Sequence, residues 1–95
     1  MYEVRPKNAN RLRHDIARLT PDERERVREA LLALAENPRP RGSLCLEKNY
    51  YRIRVGPMRI LYQVVDEESL VLVGAIVRRS EGWWKLGVDR GKVVT

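Results

Sequence analysis

Three apolar, β-branched runs separated by tight turns constrain this chain more than any other feature. Tyr50 to Val55 alternates, Gly56-Pro57 interrupts, Met58 to Val65 follows, Asp66-Glu67-Glu68-Ser69 interrupts again, and Leu70 to Val77 is the third run. Interruptions this short join spatial neighbours through hairpins, so the runs predict an antiparallel three-strand meander. Leu70-Val71-Leu72-Val73 is apolar on both faces, which predicts the most central strand.

The first half reads differently. Tyr2 to Arg5 is a short strand stopped by Pro6. Ala9, Leu12, Ile16 and Leu19 then fall three and four apart, one face of a helix, with Arg11, Arg13, Asp15 and Arg18 mostly off it. Thr20-Pro21-Asp22-Glu23 restarts a helix: Thr20 caps, Pro21 suits the first helical position, and Glu23 completes a capping box. Val27, Ala30, Leu31 and Leu34 form its buried stripe, while Asp22/Arg26 and Glu25/Arg28 are helix-spaced ion pairs. The expected fold is α+β, in the order β-α-α-β-β-β. An antiparallel helical hairpin covers one face of the sheet and leaves the other open.

Length and composition set the outer limits. The 95 residues predict a single domain spanning 1–95. No apolar run approaches the ~18 residues that span a bilayer, and Met1-Tyr2-Glu3-Val4-Arg5 has no signal-peptide character, which predicts a cytoplasmic protein without membrane contact. Cys45 is the only cysteine and His14 the only histidine, so neither a disulfide nor a usual zinc site is expected, and no cofactor is implied. His14 lies off the apolar stripe and reads as a surface residue.

Charge is concentrated. Residues 37–65 carry Arg39, Arg41, Lys48, Arg52, Arg54 and Arg59 against Glu47 alone, net +5 of the chain's +6. One basic surface of this kind ordinarily meets a polyanion. Alternation in Tyr51-Arg52-Ile53-Arg54-Val55 puts Arg52 and Arg54 together on the open face, and across the Gly56-Pro57 turn Arg59 joins them. Like charges on neighbouring strands repel; a bound phosphate removes the repulsion and accepts forked hydrogen bonds. The alternative is a solvated face with its arginines apart. Asn37-Pro38-Arg39-Pro40-Arg41-Gly42 is either a basic arm or a solvated connection. In Arg78-Arg79-Ser80-Glu81-Gly82-Trp83-Trp84-Lys85, two tryptophans between cations suit base stacking, although one of them is expected to pack on the sheet. Residues 85–95 fit a short helix, an added strand or a tail.

The segment Tyr51-Arg52-Ile53-Arg54-Val55-Gly56-Pro57-Met58-Arg59-Ile60-Leu61-Tyr62-Gln63-Val64 resembles the "YRIRVGDYRVLYEV" core of the RelE/ParE toxin superfamily. Arg78-Arg79-Ser80-Glu81-Gly82-Trp83 resembles that family's "GHRREVY" ending, and size and element order agree. The resemblance implies a toxin of a bacterial type II toxin–antitoxin system. RelE-type members enter the ribosomal A site and cut mRNA without a metal: the ribose 2′-oxygen attacks the adjacent phosphate, leaving a cyclic phosphate and a 5′ hydroxyl. It implies catalytic roles for Arg52, Arg54, Arg59 and Arg79, with RNA contacts from Lys48, Arg78, Trp83 and Lys85. Trp83 falls where the family usually has Tyr, and Arg78 where it often has His. Fixed guanidinium groups stabilise a phosphorane-like transition state, but arginine is no proton acceptor. The general acid and base are therefore sought among Glu81, Lys85 and Lys48. The implied partners are a cognate antitoxin, acidic or amphipathic, together with ribosome and mRNA; the free toxin is expected to be monomeric. Two other readings share the fold: a ParE-like poison of DNA gyrase with no RNA chemistry, and a degenerate toxin that keeps only antitoxin binding.

Overall fold

The computed structural model describes residues 1–78. The elements run β1 (Glu3–Pro6), α1 (Ala9–Ala17), α2 (Pro21–Glu36), β2 (Leu44–Glu47), β3 (Tyr50–Val55), β4 (Met58–Val65), a 3-10 turn (Asp66–Glu68) and β5 (Leu70–Arg78). The five strands form one sheet in the order β1-β5-β4-β3-β2, with β1 parallel to β5 and every other pairing antiparallel. The expected α+β class and element order hold, with β2 added. Its four residues are all exposed and carry no alternation, so nothing in Leu44-Cys45-Leu46-Glu47 marks it as a strand. The run beginning at Leu70 is interior, paired on both edges because β1 docks outside it, but the middle place belongs to β4 because β2 adds a strand outside β3. Pairing on both edges and burial explain why β5 is apolar throughout.

The core is a single cluster. Leu19, Val27 and Leu34 from the helical half meet Ile53, Ile60, Tyr62, Val64, Val71, Val73 and Ile76 on one face of the sheet. Burying a side chain of this size is worth about 1.5–3 kcal/mol. The helical signals act as expected. Thr20 and Glu23 make both halves of the capping box, at 3.2 and 3.0 Å, and the Asp22/Arg26 and Glu25/Arg28 pairs form. The last carbonyls of α1 are satisfied from outside: Arg24 donates to Leu19 O at 2.8 Å and Arg78 to Arg18 O at 3.2 Å.

Two local features depart from simple alternation. Leu61 pairs with Ala75 and Tyr62 with Val73, so β5 carries one extra residue at Gly74. A bulge shifts the strand's faces by one: Val71 and Val73 face the helices before it, Ile76 and Arg78 after it. Pairing of β1 with β5 stops at Pro6↔Val73, so the Ile76 N–H has no strand partner on that side. The Asp15 carboxylate takes it, Oδ2 accepting at 3.0 Å, and both its oxygens accept from Arg11 Nε, at 2.9 and 3.0 Å. Asp15 is 1% exposed. The helical wheel puts it off the apolar stripe, yet it is buried, because its partner is a backbone group of the sheet.

The loop after α2 is a largely exposed connection that is anchored at Pro38 and Arg39. Pro38 O accepts from the buried Tyr62 hydroxyl at 2.7 Å. Arg39 forks onto Asp66 at 2.7 and 3.2 Å and donates to the Tyr51 hydroxyl at 2.8 Å. Tyr2 donates to the same carboxylate at 2.6 Å. Burial pushes the Tyr62 phenol up to about 12, and the Arg39 guanidinium with the Tyr2 hydroxyl holds the Asp66 carboxyl below its usual range.

Asp15→Ala leaves the Ile76 N–H buried and unpaired. It is expected to destabilise the fold by about 2–3 kcal/mol, and Asp15→Asn, which keeps an acceptor, by less. Urea unfolding of the three proteins checks this, and equal midpoints would refute it.

Candidate nucleic-acid interface on the open sheet face

The β3–β4 hairpin builds the site. Gly56 has φ +59° and Pro57 follows it, the combination that a type II′ hairpin turn requires. The two-residue turn fixes Val55 opposite Met58 and hence Arg54 opposite Arg59. Residues directly opposed on antiparallel strands have Cβ atoms about 4.5–5.5 Å apart. Arg52 lies two residues from Arg54 on the same strand, about 7 Å away, and therefore on the same face. Arg52, Arg54 and Arg59 thus converge on the face away from the helices. Arg54 is exposed, Arg52 half-buried and Arg59 only 7% exposed. Exposed Arg54 presents its planar fork to a phosphate directly, with Arg52 and the buried Arg59 behind it on the same face.

The other expected site residues distribute differently. Arg78 stands on the opposite face. The bulge at Gly74 turns it toward the helices, where it forks onto Glu23 at 2.7 and 2.8 Å. It is expected as an RNA contact, and the structure places it apart from Arg52, Arg54 and Arg59. The Arg78 fork and the Thr20 backbone hold the Glu23 carboxyl down at about 2. Lys48 sits in the β2–β3 turn beyond Tyr50, so at least four residues of strand, about 13 Å, separate it from Arg54. It does not share the strand register that brings Arg52, Arg54 and Arg59 together. Arg79, Glu81, Trp83 and Lys85 lie outside the described residues. His14 is exposed on α1. Among the described residues no group of His, Cys, Asp and Glu is arranged to hold a metal ion, and no helix is long and apolar enough to cross a membrane.

Two further features adjoin the arginines. A cleft of about 550 Å³ opens between α2 and β3, lined by Ala30, Ala33, Leu34, Pro40, Leu44 and Val55, with Arg41, Arg52 and Arg54 also in its wall. At the other end of β3, Tyr50 shares the open face with Arg52 and Arg54. Simple alternation would have placed it there from sequence.

Comparison with known proteins places this geometry. Residues 7–83 match the family model described as the ParE toxin of type II toxin-antitoxin system, parDE. The chain belongs to the RelE/ParE toxin superfamily. A Methanocaldococcus jannaschii protein that carries the name RelE1 is 28% identical over 80 residues, covering 79% of this chain and 88% of that protein. A chain of the RelBE2 toxin–antitoxin complex from Mycobacterium tuberculosis superposes with a TM-score of 0.70 at 27% identity, covering 82% of this chain and 98% of that one. A chain of the intact RelBE complex of E. coli gives 0.68 at 25% identity, covering 85% and 100%. The isolated E. coli RelE toxin gives 0.71 at 24% identity with both chains fully covered, a likeness of fold.

The Glu23 carboxyl is held below its ordinary value of 4.5, at about 2. A depressed carboxylate stabilises the fold above the unfolded value and loses that contribution as pH falls through the folded one. Glu23→Gln is therefore expected to be less stable than the parent at neutral pH, with the gap closing between pH 4.5 and 2. Urea midpoints of both proteins across that window test it, and a gap that stays constant would refute it.

Proposed function

We propose that this superfamily toxin is a ribosome-dependent mRNA endonuclease. The direct opposition of Arg54 and Arg59, with Arg52 beside them on one rigid face, carries the reading. In the reaction the ribose 2′-oxygen bonds to the adjacent phosphorus, and the bond from phosphorus to the departing 5′-oxygen breaks. The 2′-hydroxyl proton goes to a base, and an acid supplies one to the leaving oxygen. The products are a cyclic phosphate and a 5′ hydroxyl. Negative charge grows on the phosphoryl oxygens on the way to the pentacovalent state. Guanidinium groups held by a hairpin meet that charge without reorganising, which is where most of their effect lies. Arg79 is the fourth arginine of the reading, and the acid and base are sought at Glu81 and Lys85.

The partner in this reading is a cognate antitoxin, as in the RelBE toxin–antitoxin complexes. The cleft between α2 and β3 suits an acidic, apolar antitoxin segment. Arg41 in its wall supplies the positive charge that such a segment meets.

The match to a ParE toxin model favours a second reading, poisoning of DNA gyrase without RNA chemistry. Accumulation of cleaved gyrase–DNA complexes separates it from the first.

Primer-extension mapping of one mRNA in a purified translation system tests the proposal. Cuts are expected only when ribosomes are present. Arg59→Ala is expected to slow them about 10²–10³-fold, the typical effect of removing one transition-state donor. Intact mRNA with folded parental protein, or undiminished cutting by the variant, would overturn it.

A further inference from the structure

The open face does not end at the arginines. Tyr50, Gln63 and Leu72 form one cross-strand row on it, and Arg52, Leu61 and Ala75 form the next. Lys7 closes this area from the far edge. Its backbone N–H donates to Val73 O at 2.9 Å, which fixes its base to the sheet although β1 has ended. Its side chain and that of Tyr50 reach toward each other across the sheet face, and the ammonium donates to the Tyr50 hydroxyl at 2.7 Å. The same nitrogen is 4.8 Å from the ring centroid, so the cation stands at the hydroxyl end of the ring. Below it, Leu61, Gln63 and Leu72 are each half-buried and Ala75 is buried. The neighbouring cation, Arg5, is already forked onto Glu3 at 2.7 and 3.0 Å. A flat, partly apolar floor is thus bounded by Arg52 on one side and by a lysine–tyrosine pair on the other.

We infer that this floor is a nucleotide subsite, in which Tyr50 stacks on the base next to the scissile phosphate and Lys7 takes the following phosphate. The inference rests on the endonuclease reading and names a part of the substrate that the arginines do not reach. Spacing supports it. Tyr50 is two residues from Arg52 and four from Arg54, about 7 and 13 Å along the strand, which is one to two steps of an extended single strand. The chemistry also fits. Stacking on an aromatic ring is tolerant of base identity, and an ammonium binds phosphate as a point charge. The hydrogen bond to Lys7 holds the phenol in place before RNA arrives, so little ordering is left for binding.

The test is a pair of double-mutant cycles between toxin and substrate. Ribosomes are programmed with short mRNAs carrying one abasic nucleotide, or one uncharged methylphosphonate linkage, at successive positions beside the cut. KM for cleavage is measured with the parental toxin, Tyr50→Leu and Lys7→Gln. At one position the abasic nucleotide is expected to raise KM about tenfold for the parent and to have no further effect on Tyr50→Leu. At a neighbouring linkage the methylphosphonate is expected to act on the parent and not on Lys7→Gln. If the penalties multiply at every position, the subsite is refuted while the endonuclease reading stands. If the parent cuts no mRNA on ribosomes, both fall. Lys7 is exposed, so its cycle decides the matter even where Tyr50→Leu fails to fold.

Discussion

A buried carboxylate on the first helix sets the relation between the two layers. Asp15 accepts the Ile76 N–H that β1 abandons, and so fastens α1 to β5 where the sheet would otherwise expose a raw edge. The extra residue at Gly74 makes that N–H available on the β1 side. The same slip decides which side of the sheet each later residue of β5 faces. Without it Arg78 would join the open face; with it, Arg78 closes on Glu23 and the Arg18 carbonyl. One bulge therefore supplies the donor that Asp15 needs and removes a cation from the candidate site.

Charge has two uses in this molecule, and composition alone does not separate them. Of the six basic residues in the central segment, Arg39 is committed to Asp66 and Tyr51, where it ties the loop after α2 to the far end of the meander. Lys48 sits in a distant turn. Only Arg52, Arg54 and Arg59 share a face, because a two-residue hairpin opposes two of them and strand alternation adds the third. Glu23 also has two roles, closing the capping box of α2 and receiving the Arg78 fork. Helix start and strand end therefore meet at a single side chain.

The meander, the helical hairpin and the three-arginine face were all legible in the sequence, because each rests on a local rule: short turns, apolar spacing, alternation. What escaped the sequence depends on non-local pairing. Asp15 reads as a surface residue until the sheet supplies its partner. Arg78 reads as part of a basic ending until the bulge turns it. β2 has four exposed residues and exists only through the edge of β3. Tyr50 is a different case. The alternation that placed Arg52 and Arg54 places it too, but a tyrosine at the start of a strand draws less notice than an arginine. Lys7 could not have been matched to it, since the two are 43 residues apart in the chain.

The turn at Gly56 has a consequence for how this surface can vary. A Cβ there would stand 2.8 Å from Nη1 of Arg26, the far end of an exposed side chain on α2 that can swing aside, so the φ of +59° rather than a lack of space is what favours glycine. Surface hairpins generally accept insertions, and the core here would survive one. The opposition of Arg54 and Arg59 would survive it too, because the core pairs Ile53–Ile60 and Tyr51–Tyr62 hold the register of the same two strands from the other face. The core thus keeps the phosphate site aligned, and the turn can change length while the two arginines stay opposed.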